Sequence, residues 1–198
     1  CSISDFFIEQ ADAWRDEAWD IIRRTPHLTY QILTKRPERI ANNLPLICFG
    51  CGMIHPGGTH DERHPIGCRY RGWPWPNVWL GTSVENQKYA EIRIPQLVSV
   101  PAKVHFLSCE PLLGPIDFRD ALPIWAKPSL GTLLRDIEWI IVGGESGLGF
   151  RPMDPSWARE IRAQCAAAGV PFFYKQGNGI RSEMDPYLDG QEWRQMPK

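Results

Sequence analysis

Five short apolar runs each end in residues that can do chemistry. Thr29–Leu33 leads into Thr34-Lys35-Arg36-Pro37, and Val78–Gly81 into Thr82-Ser83-Val84-Glu85-Asn86. Val104–Leu107 leads into Ser108-Cys109-Glu110-Pro111, Trp139–Val142 into Gly143-Gly144-Glu145-Ser146-Gly147, and Val170–Tyr174 into Lys175-Gln176. The termini of the runs thus offer Glu85, Glu110 and Glu145 beside Lys35, Arg36 and Lys175. Neighbouring carboxylates can serve as an acid/base pair. They can equally bind the amine or hydroxyls of a ligand, while Lys35 and Arg36 can take a carboxylate or phosphate. Structural ion pairs at the mouth of a site are the plain alternative.

A second group sits in a Gly-, His-, Cys- and Pro-rich stretch. Cys48-x2-Cys51 is followed by His55, His60, His64 and Cys68. Cys48, Cys51, His64 and Cys68 would supply three thiolates and an imidazole, a set that suits tetrahedral structural zinc. Such a metal would also explain how a segment with little apolar material folds. Unligated thiols in a flexible loop, or an iron–sulfur cluster on the three cysteines, are the other readings.

Weaker patterns complete the survey. Gly143-Gly144-Glu145-Ser146-Gly147 could bring backbone N–H groups close to a ligand. It is neither a Walker loop nor Gly-x-Gly-x-x-Gly, and a tight turn also explains it. A hydrolase triad of a serine with His105 and Asp117 lacks a Gly-x-Ser-x-Gly elbow. His27 and His105 read as packed or surface histidines. Trp73 and Trp75, with Arg69 and Arg71, could stack bases, but packing the Cys/His-rich stretch onto the body is the simpler role.

The elements that must position these groups alternate. The apolar runs are nearly continuous, as in strands buried on both faces. Helical patterns lie between them. In 14–24 Trp14, Ala18, Ile21 and Ile22 share a face; 37–43 opens with proline; 86–98 is a further candidate. In 156–168 Trp157, Ile161 and Cys165 line one side and Gly169 closes the helix. Strand–helix alternation implies a parallel sheet, whose carboxyl ends build sites. Cys1–Phe7 reads as the end of one more strand and its loop. Six βα units fall short of the eight of a full barrel, so the expected fold is α/β: a TIM-type (β/α) barrel, incomplete at its N-terminus. It would form a single domain over 1–198, with 44–76 inserted as a Cys/His-rich loop or zinc-binding subdomain.

Composition bounds the function. The 198 residues carry 22 Lys+Arg against 23 Asp+Glu, a net charge of −1. That balance argues against broad electrostatic binding to nucleic acid or an anionic membrane. No apolar run approaches the ~20 residues of a membrane span, and no signal peptide is visible. A cytoplasmic protein with no membrane partner is expected.

Several motifs, in order, resemble a phage- and prophage-associated family of unknown function. They are Cys-Ser-Ile-Ser-Asp-Phe-Phe (1–7), Gln-Ile-Leu-Thr-Lys-Arg-Pro-Glu-Arg (31–39) and Asn-Val-Trp-Leu-Gly-Thr-Ser-Val-Glu-Asn-Gln (77–87). Phe-Leu-Ser-Cys-Glu-Pro-Leu-Leu-Gly (106–114), Trp-Ile-Ile-Val-Gly-Gly-Glu-Ser-Gly (139–147), Pro-Phe-Phe-Tyr-Lys-Gln (171–176) and Leu-Asp-Gly-Gln-Glu-Trp-Arg (188–194) continue the match. That family is similar to divergent radical S-adenosylmethionine (SAM) enzymes. Its members carry a Gly-Cys…Gly-Cys-x2-Cys-Tyr segment that would hold a [4Fe–4S] cluster with one iron open to SAM. This sequence does not contain that segment, and Cys48, Cys51 and Cys68 differ from it in place and spacing.

The resemblance implies that strand-end groups line a barrel mouth that binds SAM and substrate. Lys35, Glu85, Glu110, Glu145 and Lys175 would be the catalytic candidates. Ser4, Asp5, Arg36, Thr82, Ser83, Asn86, Ser108, Gly143, Gly144 and Gln176 would bind the cofactor. Gly143-Gly144-Glu145 resembles the Gly-Gly-Glu that grips the SAM amino group, although there it follows an early strand and here a late one. The function expected is the C-terminal part of a phage-encoded radical SAM-like enzyme, in the cytoplasm of the bacterial host. Without the cluster ligands, this chain alone would be inactive. A metal-independent hydrolase or lyase using strand-end Glu and Lys, or a non-catalytic zinc-containing interaction module, are the alternatives. Open partners are a nucleotide or nucleic-acid substrate and a separately encoded partner protein.

Overall fold

The computed structural model describes residues 5–48, 54–56, 70–71, 73–120, 134–181 and 185–198. The expected further strand at Cys1–Phe7 falls largely outside them. The centre is a five-stranded parallel sheet in the order β1-β5-β6-β7-β8. Its strands are β1 (Tyr30–Thr34), β5 (Val78–Ser83), β6 (Val104–Cys109), β7 (Trp139–Gly143) and β8 (Phe172–Gln176). All four pairings are parallel, so each strand end points the same way. The five apolar runs therefore became the five sheet strands, each reaching one or two residues further into its polar cluster. The fold is mixed α/β, and the sheet is not closed among the described residues.

The helices follow the sequence patterns. They are α1 (Arg15–Arg24), α2 (Gln87–Val98) and α3 (Pro155–Ala168). Asn86 caps α2 by accepting from the Tyr89 amide, and Asp154 caps α3 by accepting from Ser156, which satisfies otherwise orphaned N–H groups. Gly169, at φ 72°, ends α3 in the left-handed conformation. The stretch 37–43 forms two 3-10 turns, Pro37–Arg39 and Ala41–Asn43, rather than one helix.

The face expected for α1 is corrected. Arg15, Trp19 and Ile22 are the buried residues, while Trp14 is 58 % and Ile21 45 % exposed. Arg15 turns inward because its guanidinium donates to the carbonyls of Phe6 and Ile8 and to Asn43 Oδ1. Trp19 follows it, with Nε1 donating to the Asn43 carbonyl at 3.0 Å.

Alternation along the strands separates two faces. Ile32, Leu80, Leu107, Ile140, Val142 and Phe172 pack with Ile22, Ala90, Ile94, Ile161 and Cys165 in the main core. Each fully buried aliphatic side chain there contributes about 2 kcal/mol. The opposite face carries an aromatic layer. Trp139 stacks edge-on against Trp79 at 6.1 Å and Phe173 at 5.7 Å, and lies 6.0 Å from Phe106. Gly81 is needed beneath it, since any Cβ there would run into the Phe106 ring.

Residues 45–71 add a small antiparallel sheet, β3-β2-β4, from β2 (Pro45–Cys48), β3 (Ile54–Pro56) and β4 (Tyr70–Arg71). Trp73 and Trp75 pack edge-on against Trp19 at 5.9 and 5.8 Å, so these rings serve the core. The last strands, β9 (Tyr187–Leu188) and β10 (Gln191–Glu192), form a hairpin. The residues after it lie along the outer edge of β8: the Tyr174 amide donates to the Trp193 carbonyl and the Gln195 amide to the Phe172 carbonyl. No helix among the described residues is long and apolar enough to cross a membrane.

Candidate functional site

The C-terminal ends of the five strands open onto a cleft of about 460 Å³. Its walls include Lys35, Glu110, Glu145 and Lys175, with Ser83, Ser108, Gly144 and Gln176 between them. Eight of the candidate residues therefore meet in one place. Each arrives there because it lies at, or just past, the end of a parallel strand.

Ion pairs organise the cleft. Lys35 Nζ lies 2.7 Å from Glu85 Oε1, and Arg93 Nη1 on α2 lies 2.8 Å from Glu85 Oε2. Glu85 is nearly fully buried and stands behind Lys35 rather than on the cleft wall. Arg93 also donates to the Ser83 carbonyl and stacks over Tyr89 at 4.1 Å. On the other side, Lys175 Nζ lies 3.2 Å from Glu110 Oε1, and the Ser108 hydroxyl approaches Glu110 Oε2 at 3.5 Å. Lys175 is the extra residue of a bulge, since Val142 pairs with Tyr174 but Gly143 with Gln176. Bulges re-aim side chains beside sites in this way.

Glu145 is held differently. Arg151 donates Nε and Nη2 to its two carboxylate oxygens at 2.9 and 2.7 Å, and its amide at 2.8 Å. The guanidinium first, and then the amide, pull the Glu145 carboxyl down to about 2. Asp5 closes the β1 corner. It accepts from the Thr34 hydroxyl, the Lys35 and Phe7 amides and Arg36 Nη1. Burial works to raise its carboxyl, but these four donors outweigh it and hold it below the ordinary value.

The remaining candidates have structural places. Thr82 donates to the Thr34 carbonyl inside the sheet. Asn86 is the α2 cap. Gly143 makes room, because a Cβ there would lie 2.6 Å from Glu110 Oε1. The Gln176 side chain donates to the Gly144 carbonyl. Ser4 lies outside the described residues, as do Cys51, His64 and Cys68 of the proposed zinc set; Cys48 ends β2 with its backbone alone described. Among the described residues no three His, Cys, Asp or Glu side chains converge as a metal site.

The triad of a serine with His105 and Asp117 is not assembled. The His105 ring nitrogens face the Asp136 and Val100 carbonyls at 3.0 and 2.8 Å, and Asp117 binds the Arg119 guanidinium. Leu33, Pro111 and Ser146 complete the lining, while Arg93 and Arg151, which pair with Glu85 and Glu145, were not singled out from the sequence. A helix arginine eight residues after a strand-end glutamate follows no local spacing rule. Gly81 inside a strand was a readable sign of the close approach beneath the cleft.

Over residues 1–197 the chain matches the family described as "Protein of unknown function (DUF5131)". It belongs to that family. No curated protein and no solved structure matches it. The site of this DUF5131 chain must therefore be read from its own groups.

Proposed function

We propose that this DUF5131 chain supplies the ligand-holding arc of a (β/α) barrel in a phage-encoded radical SAM-like enzyme of the host cytoplasm. One observation carries the reading: five parallel strands deliver charged and hydroxyl-bearing residues to one cleft above an aromatic layer. Parallel sheets are covered on both faces, and barrels fill their interior with such layers. The aromatic layer on this face, with Trp139 and Phe106 buried and Trp79 and Phe173 partly so, is consistent with a curved, barrel-like arrangement.

SAM fits the polar set in kind. Glu110 can take its ammonium group and Lys175 its carboxylate, each exchanging one ion pair for another of the same sign. SAM held here by Glu110 and Lys175 would supply radical chemistry only with an iron–sulfur cluster provided from outside the described residues. An iron–sulfur cluster does not fit the described residues. Cys109 and Cys165 are free but buried, and burial pushes the Cys165 thiol up to about 12 and that of Cys109 well above its ordinary value. The proposal therefore assigns to this chain the binding and orientation of ligands, and the exclusion of water from them. We also assign zinc to Cys48, Cys51, His64 and Cys68.

Calorimetric titration of SAM into the chain tests the reading. Saturable binding that weakens in Glu110→Gln and Lys175→Gln is expected; no binding to the wild type overturns it. A metal-independent lyase or hydrolase is the second reading, favoured by Glu110–Lys175, the cleft pair that no arginine shares among the described residues. It requires turnover without iron that Glu110→Gln abolishes.

A further inference from the structure

At the β1–β5 corner of the cleft the charges do not cancel. Glu85 is the carboxylate for two cations, Lys35 at 2.7 Å and Arg93 at 2.8 Å. Arg93 is nearly buried and is further fixed by the Ser83 carbonyl and by Tyr89, so it stays with Glu85. Lys35 is half-exposed and reaches Glu85 from the cleft side. It can swing to a ligand without stranding the buried carboxylate.

A second observation at the same corner is independent of charge. Ser83 lines the cleft, and its hydroxyl is open to the cleft: the buried side-chain polar atom left without a partner among the described residues is Gln96 Oε1, not Ser83 Oγ. A hydroxyl that faces a cleft with no protein partner is available to donate to a ligand. Thr34 pairs in register with Thr82, so Lys35 and Ser83 follow side by side on adjacent strands. Ser108 is the register partner of Ser83 on the next strand and also lines the cleft. A flexible ammonium, a free hydroxyl donor and a local surplus of one positive charge together suit an anionic oxygen group.

We propose that Lys35 and Ser83, with Ser108 beside them, form an oxyanion subsite that takes a carboxylate or phosphate group of the substrate. The proposal rests on the reading of the cleft as the ligand site. Glu85 and Arg93 position Lys35, and the surplus charge selects the anion. Lys35 and Ser83 stand at the ends of β1 and β5, Lys175 stands on β8, and Ser108 lies between them, 3.5 Å from Glu110, so a ligand with an anion at one end and an ammonium group at the other could reach from Lys35 to Glu110.

The test titrates inorganic phosphate, followed by phosphorus NMR, and carbon-13 acetate, followed by carbon NMR, into the full chain. Saturable binding of at least one anion is expected, and the tighter one names the source. Lys35→Gln and Ser83→Ala should each weaken it about tenfold, while Lys35→Arg keeps most of it. Circular dichroism melts confirm that each variant is folded. Lys35 is half-exposed, so its variants decide the matter even where Ser83→Ala does not fold. No saturable binding of either anion to the wild type, or equal binding by Lys35→Gln, overturns the subsite. SAM titrated into the same samples separates the two ideas. SAM binding without anion binding removes the subsite alone, and anion binding without SAM binding removes the radical SAM reading alone.

Discussion

Glu110 and Lys175 meet at 3.2 Å although β6 and β8 are separated by β7. They can do so because the intervening residue, Gly143, has no side chain; a Cβ there would stand 2.6 Å from Glu110 Oε1. The bulge at Lys175 helps, turning that side chain back over the sheet. One glycine and one bulge thus create an ion pair across a strand.

Gly143→Ala is expected to part this pair without unfolding the protein. The obstructed atom is the far end of a flexible glutamate, and Gly143 does not adopt positive φ. The melting temperature should stay within about 3 °C of wild type. A crystal structure of the variant should show Glu110 and Lys175 beyond about 4 Å, the usual limit of an ion pair. An intact pair in that structure would falsify the role given to Gly143.

The Glu145–Arg151 clasp has a pH signature. The Glu145 carboxyl is depressed from 4.5 to about 2, so its stabilising contribution is complete above the unfolded value. That contribution drains away as pH falls from about 4.5 toward 2. Side-chain carbon NMR should find Glu145 titrating near the bottom of this window. In Arg151→Gln it should move up toward the ordinary glutamate value. A Glu145 that titrates alike in both proteins would remove Arg151 as the cause.

Much of this was legible in the chain because burial writes itself into hydrophobic runs. Ile32, Leu80, Leu107, Ile140 and Phe172 sit in such runs, and the strands and their polar ends followed. The cleft followed in turn, since parallel strands bring their ends together. What stayed hidden depends on contacts distant in sequence. The inward turn of Arg15 is set by Asn43 and by carbonyls before the helix. The partner of Glu85 is a helix arginine, and the aim of Lys175 depends on a one-residue register shift. Periodicity carries none of these.

The two cations on Glu85 should differ sharply in their effect on stability. Glu85 and Arg93 are nearly buried together, whereas Lys35 is half-exposed. Removing one partner of a buried pair strands the other, so Arg93→Ala should cost about 3 kcal/mol. Lys35→Ala should cost less than about 1 kcal/mol, as for other exposed pairs. Urea denaturation of both variants measures the difference. Equal costs would show that Lys35 neutralises Glu85 as much as Arg93 does, and would undo the argument that Lys35 is free to move to a ligand.

The zinc proposal for the insert makes a stoichiometric claim. On that proposal Cys48, Cys51 and Cys68 would supply thiolates and His64 an imidazole, a complete tetrahedral set. Protein purified without chelator should contain about one zinc per chain by elemental analysis. Cys48→Ser with Cys51→Ser should abolish it, because two of four ligands are lost. The parallel sheet has its own core and should survive, so near-ultraviolet circular dichroism from the Trp79, Trp139 and Phe173 layer should persist in the metal-free variant. Iron in place of zinc, with the visible absorption of a cluster, would favour the iron–sulfur reading of the three cysteines. No bound metal in the wild type would remove the zinc assignment and leave these cysteines as free thiols.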